Sequence, residues 1–309
     1  MSKWRQWLFG ASDGHGRTAL PDKRWFGIAL YSPRVEDDNA GDWVRAALAE
    51  PKGRVCGVQL AQIGPTSTKD NFGKDRLVNE KGLRDVLNRS MQGKVHFIHG
   101  FDVELDPHES LSGRDIFYFY MTATRIYSSE VRDLVVSGPE ASYDQSAALS
   151  YVRKLVTEFP IDYGCIASGL THFHVDATVR FTYSSHVEDD ERLRQYGPDH
   201  PRKQFAKEIG FYQSRRRRFS EFVPRACWGS ILSAKHIECL GGVDRIVRMS
   251  EAYLVERWGE NLYVQLTKSL WECTNDDLLR FNCFLEPVRF PDAPIPVYLD
   301  PASKGYVKY

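Results

Sequence analysis

The chain has 309 residues, and its 41 Lys and Arg residues balance its 41 Asp and Glu residues. A protein dedicated to binding nucleic acid usually carries a basic surplus, so this balance argues against that class. It also argues against an inhibitor that mimics DNA through overall acidity. A hydrophobic content of 42% excludes a largely disordered chain.

The sequence predicts that the protein is cytoplasmic. The apolar run near the N-terminus is too short for a secretory signal, and no stretch approaches the ~20 apolar residues of a membrane span. The six cysteines are scattered and contain no C-x-x-C pair. We therefore expect reduced thiols and no contact with a membrane.

The N-terminal half reads as alternating strands and helices. Alternation of apolar residues predicts strands, and apolar residues at helical spacing predict helices. The predicted strands are 25–30, 55–63, 95–104 and 115–126, and the predicted helices are 42–50 and 80–92.

The C-terminal half begins after a composition break at Ser137-Gly138-Pro139. An apolar stripe predicts a helix over 142–159, with Ser142 and Gln145 as its capping box. The other predicted elements are a strand over 171–181, a helix through Phe205, Ile209 and Tyr212 within a charged insert at 186–222, a short helix capped by Ser233, a hairpin over 252–267 and a helix from Asn275 to Pro287.

These elements lack a strict β-α-β alternation, which favours an α+β fold with a mostly antiparallel sheet and helices packed on it. The composition break suggests two α+β lobes, 1–138 and 139–309, which could also form one continuous domain.

One pattern suggests a metal site. In His172-x-His174-x-Asp176, alternate residues of a strand point the same way, ~6–7 Å apart, and could share a metal ion. No sequence feature supplies the remaining ligands. The simpler interpretation is the polar face of a strand, so we expect no metal and no cofactor. The alternative hypothesis is a metal-dependent hydrolase.

Charged clusters are the candidate partner-binding residues. A basic run could bind phosphates or an acidic partner, but a solvated helix end paired to the acidic run upstream is the better explanation, and the run itself contains no stacking aromatic residue. Two acidic clusters could meet a basic partner, or simply form solvated loops. The candidates are Arg215, Arg216, Arg217 and Arg218 in the basic run, and Glu36, Asp37, Asp38, Glu188, Asp189, Asp190 and Glu191 in the acidic clusters.

Catalytic signatures are absent from the sequence: no nucleophile elbow, zinc-protease motif, phosphate-binding loop or dinucleotide fingerprint occurs. This favours a binding protein over an enzyme. A nucleic-acid-binding regulator that uses the basic run remains an alternative.

The C-terminal half resembles the type VI secretion immunity family. The similar segments are Cys227-Trp228-Gly229, residues 232–242, the strand at 261–266 and the helix end at 285–289, with a weaker match at 159–167. The insert at 186–222 is longer and more charged than in that pattern.

The resemblance implies a cytoplasmic antitoxin that binds and neutralises a secreted effector encoded beside it. TsiT-like members of the family pair with nuclease toxins, so the implied partner is a DNase effector, bound without direct contact to nucleic acid. The protein would plug the nuclease cleft or bind elsewhere on the toxin. The zero net charge favours the second mode.

Overall fold

The computed structural model describes residues 24–33, 40–47, 57–62, 71–72, 76–77, 97–101, 118–122, 131–169, 178–179 and 197–298. Over these residues the fold is α+β, with an antiparallel sheet and packed helices, which confirms the predicted class. Within the same ranges no helix combines the length and the apolar composition that crossing a membrane requires.

Eleven strands of the described residues form one sheet. They are β1 Trp25–Pro33, β2 Gly57–Gln62, β3 Asn71–Phe72, β4 Arg76–Leu77, β5 Phe97–Phe101, β6 Tyr118–Thr122, β7 Val131–Pro139, β8 Tyr163–Gly169, β9 Gly229–Leu232, β10 Leu254–Trp258 and β11 Asn261–Gln265. Their spatial order is β10-β11-β9-β8-β1-β7-β6-β5-β2-β3, and β4 also pairs with β2. Every pairing is antiparallel.

The α-helices are α1 Ala40–Ala47, α2 Gln145–Glu158, α3 Pro201–Gln213, α4 Ala234–Cys239, α5 Val243–Met249 and α6 Asn275–Phe284. Short 3-10 turns occur at Glu140–Ser142, Arg216–Arg218, Leu270–Glu272 and Glu286–Val288.

The sheet separates two hydrophobic cores because successive side chains of a strand point to opposite faces. In β1, Ile28 and Leu30 belong to one core, whereas Ala29 and Tyr31 belong to the other. The first face, which we call face one, is covered by α2 and by Trp43 of α1. The opposite face, face two, is covered by α3, α4, α5 and α6.

Several predicted elements agree with the structure. The strands at 25–30, 55–63, 95–104 and 115–126 correspond to β1, β2, β5 and β6. The helices at 42–50 and 142–159, the helix inside the charged insert, the Ser233-capped helix, the hairpin and the last helix are confirmed with shifted ends. The helix predicted at 80–92 lies outside the described residues.

Two local predictions are wrong. Asp144, not Ser142, caps α2, because its carboxylate accepts a hydrogen bond from the Ala147 N–H at 3.0 Å. Residues 178–179 are helical, so the strand predicted over 171–181 does not reach them. The other positions of that strand lie outside the described part of the chain.

Five strands have no counterpart among the predicted elements: the two-residue strands β3 and β4, and the longer β7, β8 and β9. The composition break at 137–139 is the end of β7, which is held in the sheet because Trp25 to Pro33 of β1 pair with it along its full length. Strand β1 also pairs with β8, so it lies between strands from both halves of the chain. The division into lobes 1–138 and 139–309 stays a prediction.

A buried ion pair fastens the irregular segment that follows the last 3-10 turn. Arg225 and Glu208 are 1% and 0% exposed, and their charged atoms lie 3.4 Å apart. Both residues also hold the backbone of Val297. Arg225 donates a hydrogen bond to the Val297 carbonyl at 3.0 Å, and the Val297 N–H donates one to the Glu208 carboxylate at 2.8 Å. Burial raises the pKa of Glu208, while Arg225 opposes that shift.

Candidate functional site

Of the predicted site residues, the structure describes the basic run. Residues Glu36, Asp37, Asp38, Glu188, Asp189, Asp190 and Glu191 lie outside the described ranges, as do His172, His174 and Asp176. The four arginines begin two residues after the end of α3, and three of them form the next 3-10 turn.

Arg215 is fixed at the C-terminal end of α3. Its guanidinium donates to the Phe211 carbonyl at 2.8 Å and to the Ser214 hydroxyl at 3.0 Å. The same group lies 3.9 Å from the centroid of the Phe211 ring. The aromatic face and the negative end of the helix dipole both stabilise this cation, so the side chain holds one orientation.

Arg218 is fixed in a similar way on the other side of the turn. Its Nε and Nη2 atoms donate to a Glu221 carboxylate oxygen at 3.2 and 3.0 Å. Its guanidinium lies 4.6 Å from the centroid of the Phe222 ring. The hydrogen bond from Arg218 lowers the pKa of Glu221, and Lys235, 3.6 Å away, acts in the same direction.

The two rings belong to an aromatic cluster centred on buried Phe290. The ring centroids of Phe211, Tyr212, Phe219 and Phe222 lie 6.1, 5.7, 6.0 and 4.9 Å from that of Phe290. Such tilted and edge-to-face contacts define ring orientation. The arginines therefore rest on a packed support.

Arg216 faces the sheet instead. It forms a 2.9 Å ion pair with Asp133 of β7, whose side chain is 5% exposed. This contact attaches the turn to face two. Because the pair satisfies both charges, Arg216 has a structural partner within the chain.

Arg217 is exposed, as is Arg218, whereas Arg215 and Arg216 are half-buried. Within the described residues it has no carboxylate partner. We call Arg215, Arg217 and Arg218, with the rings of Phe211 and Phe222, the arginine platform. Glu221 is the carboxylate beside it, so the platform carries a net positive charge.

The platform is suited to binding anionic groups. Guanidinium donors match carboxylate and phosphate oxygens, and arginine and aromatic residues are enriched among residues that dominate protein interfaces. Arg215 and Arg218 are already oriented, so less conformational entropy is lost when a partner binds. The arrangement offers cations and no nucleophile or acid–base pair.

The aromatic half of the platform was missed in the sequence, although a signal was present. Phe211 precedes Arg215 by four residues, and Phe222 follows Arg218 by four. Residues at this spacing are neighbours on a helix surface. The contact between Arg216 and Asp133 spans 83 positions, and no local pattern indicates it.

No set of three His, Cys, Asp or Glu residues in the described part of the chain could hold a metal ion. Five cysteines are described, and all are free thiols: Cys165, Cys227, Cys239, Cys273 and Cys283. Neither group adds a second candidate centre to the arginine platform.

The fold and the platform define an α+β protein with a preformed cationic surface. No protein-family model matches the chain, and no curated protein matches its sequence significantly. Among solved structures it is similar to the Pseudomonas aeruginosa T6SS protein PA0821, with a TM-score of 0.52 and 11% sequence identity. The alignment covers 89% of this chain and 78% of that one. At this identity the likeness is one of fold.

Proposed function

We propose that this chain is an immunity protein that binds and neutralises the effector of a type VI secretion system in the cytoplasm. The observation that carries the proposal is the arginine platform, an exposed cationic surface already fixed by Phe211 and Phe222. The fold shared with a T6SS protein supports it, as does the resemblance of the C-terminal half to the immunity family.

Neutralising a toxin that kills at trace levels requires nanomolar binding, about −12 kcal/mol. An interface of ~1,600 Å² with a few dominant residues supplies that free energy. A rigid platform fits this requirement better than a flexible basic loop, because the ordering of its side chains precedes binding.

The charge of the platform also indicates where it would bind. A nuclease effector, the partner of TsiT-like proteins, binds DNA through basic residues, and a cationic platform is repelled from such a cleft. Its complement is a carboxylate-rich surface elsewhere on the toxin. We therefore propose inhibition from outside the DNA-binding surface, with no reaction catalysed by the immunity protein.

The test is binding to the effector encoded beside this chain. Arg217→Glu reverses the charge of an exposed platform residue and, unlike a change at Arg218, disturbs no described ion pair. We expect it to weaken the dissociation constant by about 100-fold, the range of a dominant interface residue. Lys154→Glu is the matched control, because this exposed lysine of α2 lies on the other side of the sheet.

Isothermal titration calorimetry measures both variants against the wild-type chain. Equal affinity of Arg217→Glu and wild type would contradict the proposal. A guanidinium platform also fits phosphate, so a duplex DNA band shift at physiological salt is the second arm. DNA binding lost in Arg217→Glu, with no effector binding, would instead favour a nucleic-acid-binding regulator.

A further inference from the structure

Strand β10 lies at one end of the sheet. It pairs with β11 on one side, and none of the strands in the described ranges pairs with its other side. An edge strand presents unpaired N–H and C=O groups that can extend the sheet into another chain. The arginine platform lies far along the sheet, where Arg216 contacts β7. The edge is therefore a separate surface.

The turn of the hairpin determines which backbone groups are available. Gly259 has a φ of 63° and Glu260 follows it, so a two-residue turn of type II′ joins β10 to β11. Trp258 and Asn261 then form a hydrogen-bonded pair, and bonding alternates along the strand. The N–H and C=O groups of Val255 and Arg257 consequently point to the free edge.

Exposed apolar side chains occur in the helix that precedes this edge strand and at the start of the strand. Val247 and Met249 of α5 are 55% and 61% exposed, and Tyr253 and Leu254 are 57% and 38% exposed. They are four of the six large hydrophobic residues that are exposed among the described residues. A patch of this kind next to an open strand is typical of a protein interface.

The segment that carries the patch is held in an unusual backbone conformation. Glu251 has a φ of 53°, which costs a non-glycine residue free energy and often marks a functional position. Its carboxylate lies 3.9 Å from Arg280 of α6. Tyr253 is fixed by the hydrogen bond from its N–H to the Leu266 carbonyl, at 3.3 Å.

We propose that β10 pairs antiparallel with β10 of a second copy of this chain, with Val255 opposite Val255. The charges of the strand select this register. Pairing Val255 with Arg257 places Glu256 opposite Glu256, and pairing Arg257 with itself places two arginines in contact. Like charges directly opposite each other are destabilising.

Two contacts orient Glu256 and would have to break if it turned away from such a clash. Its carboxylate is held by Arg153 at 2.9 Å and by the indole N–H of Trp258 at 3.0 Å. In the Val255 register no like charges meet. Leu254 lies opposite Glu256, and Tyr253 lies opposite Arg257 twice, once on each side of the two-fold axis. Arginine on a tyrosine ring is an attractive pair.

The pairing also brings together the face-two side chains beside β10 of the two copies. Val255 packs on the core of face two, as do Val243 of α5 and Ala252. Arg257 shares that face with Val255, because side chains alternate along the strand. Two copies of this surface therefore meet around the two-fold axis. This inference goes beyond the proposed function and does not depend on effector binding.

Sedimentation velocity of the full chain, from about 1 μM to about 100 μM, tests the proposal, because the dimeric fraction of the chain rises with concentration. We expect the wild-type chain to dimerise. Val255→Pro removes an outward N–H and no bond to β11, so it should leave a folded monomer. Arg257→Glu should weaken dimerisation at least tenfold, and Lys154→Glu should leave it unchanged. A wild-type chain that is monomeric throughout would overturn the proposal.

The register is tested by cross-linking, which remains informative if Val255→Pro does not fold. In a chain with Cys239→Ser and Cys283→Ser, Val255→Cys should form an interchain disulfide under a mild oxidant such as copper phenanthroline. Glu256→Cys should not. The reverse result, or no disulfide at either position, overturns this register. Loss of effector binding in Val255→Pro, with no dimer in the wild type, would assign the edge to the effector instead.

Discussion

His236 should make the stability of this protein depend on pH. It is the third residue of α4. Its imidazole Nδ1 accepts a hydrogen bond from the backbone N–H of Ser233 at 3.2 Å, and the backbone N–H of His236 donates to the Ser233 hydroxyl at 3.4 Å. The side chain is fully buried. Burial, together with the charge of Lys235, lowers the pKa of His236 from 6.5 to about 4.

The sign and size of the effect follow from that difference. Between pH 6.5 and about 4 the unfolded chain binds a proton at this histidine and the folded chain does not, so stability falls as the pH falls. At 1.36 kcal/mol for each pH unit, the complete loss is about 3 kcal/mol, of which about 2 kcal/mol is lost by pH 5. Asp162 acts in the opposite direction, because burial raises its pKa to about 6.

Comparison with His236→Gln isolates the histidine, because Asp162 is present in both proteins. Glutamine at the third helical position can still serve the capping box, so the variant should fold. Urea unfolding, followed by tryptophan fluorescence at pH 8, 7, 6 and 5, should show a smaller loss of stability in the variant, by about 2 kcal/mol at pH 5. Parallel pH profiles of the two proteins would refute the reasoning.

Two further predictions concern stability. Arg225→Met leaves the carboxylate of Glu208 buried without its cation, and should lower the free energy of unfolding by about 3–5 kcal/mol. Adding Glu208→Gln to Arg225→Met should recover part of that loss. If the losses of the two single variants simply add in urea unfolding of the double variant, this prediction is wrong. Asp144→Ala removes the cap of α2 and should cost about 1 kcal/mol in the same assay, whereas an unchanged midpoint would show that the cap is dispensable.

The sequence was sufficient where local chemistry determines structure. Ser233 caps α4 as predicted, and the glycine pair after that helix adopts positive φ angles that suit glycine. The hairpin at Gly259 is equally local. These features depend on residues within a few positions of one another, so pattern and propensity are enough to predict them.

Long-range pairing determined the elements that were missed. Strand β8 contains Gly164, Ala167 and Gly169, which gives it a weak strand propensity. It forms because β1 and β9 pair with it on both sides. A side chain at Gly164 would lie 2.6 Å from Ile231, so the glycine serves close packing that no local pattern shows.

The candidate site was predictable in part for the same reason. The basic run is evident in the sequence, and the four-residue spacings from Phe211 to Arg215 and from Arg218 to Phe222 indicate which arginine lies on which ring. The direction of Arg216 was not predictable, because Asp133 reaches it only through the order of the sheet strands. That distant contact turns Arg216 towards the sheet, whereas Arg215 and Arg218 are oriented by local contacts.

We propose that the arginine platform disarms an effector by stoichiometric binding, without chemistry of its own. The decisive experiment is to titrate the activity of the purified neighbouring effector with this chain. We expect a linear loss of effector activity that ends at a fixed molar ratio, with a much shallower loss for Arg217→Glu and an unchanged one for Lys154→Glu. Complete inactivation by a small fraction of that ratio would reveal turnover and rule out stoichiometric binding, and an effector that stays fully active would rule out inhibition.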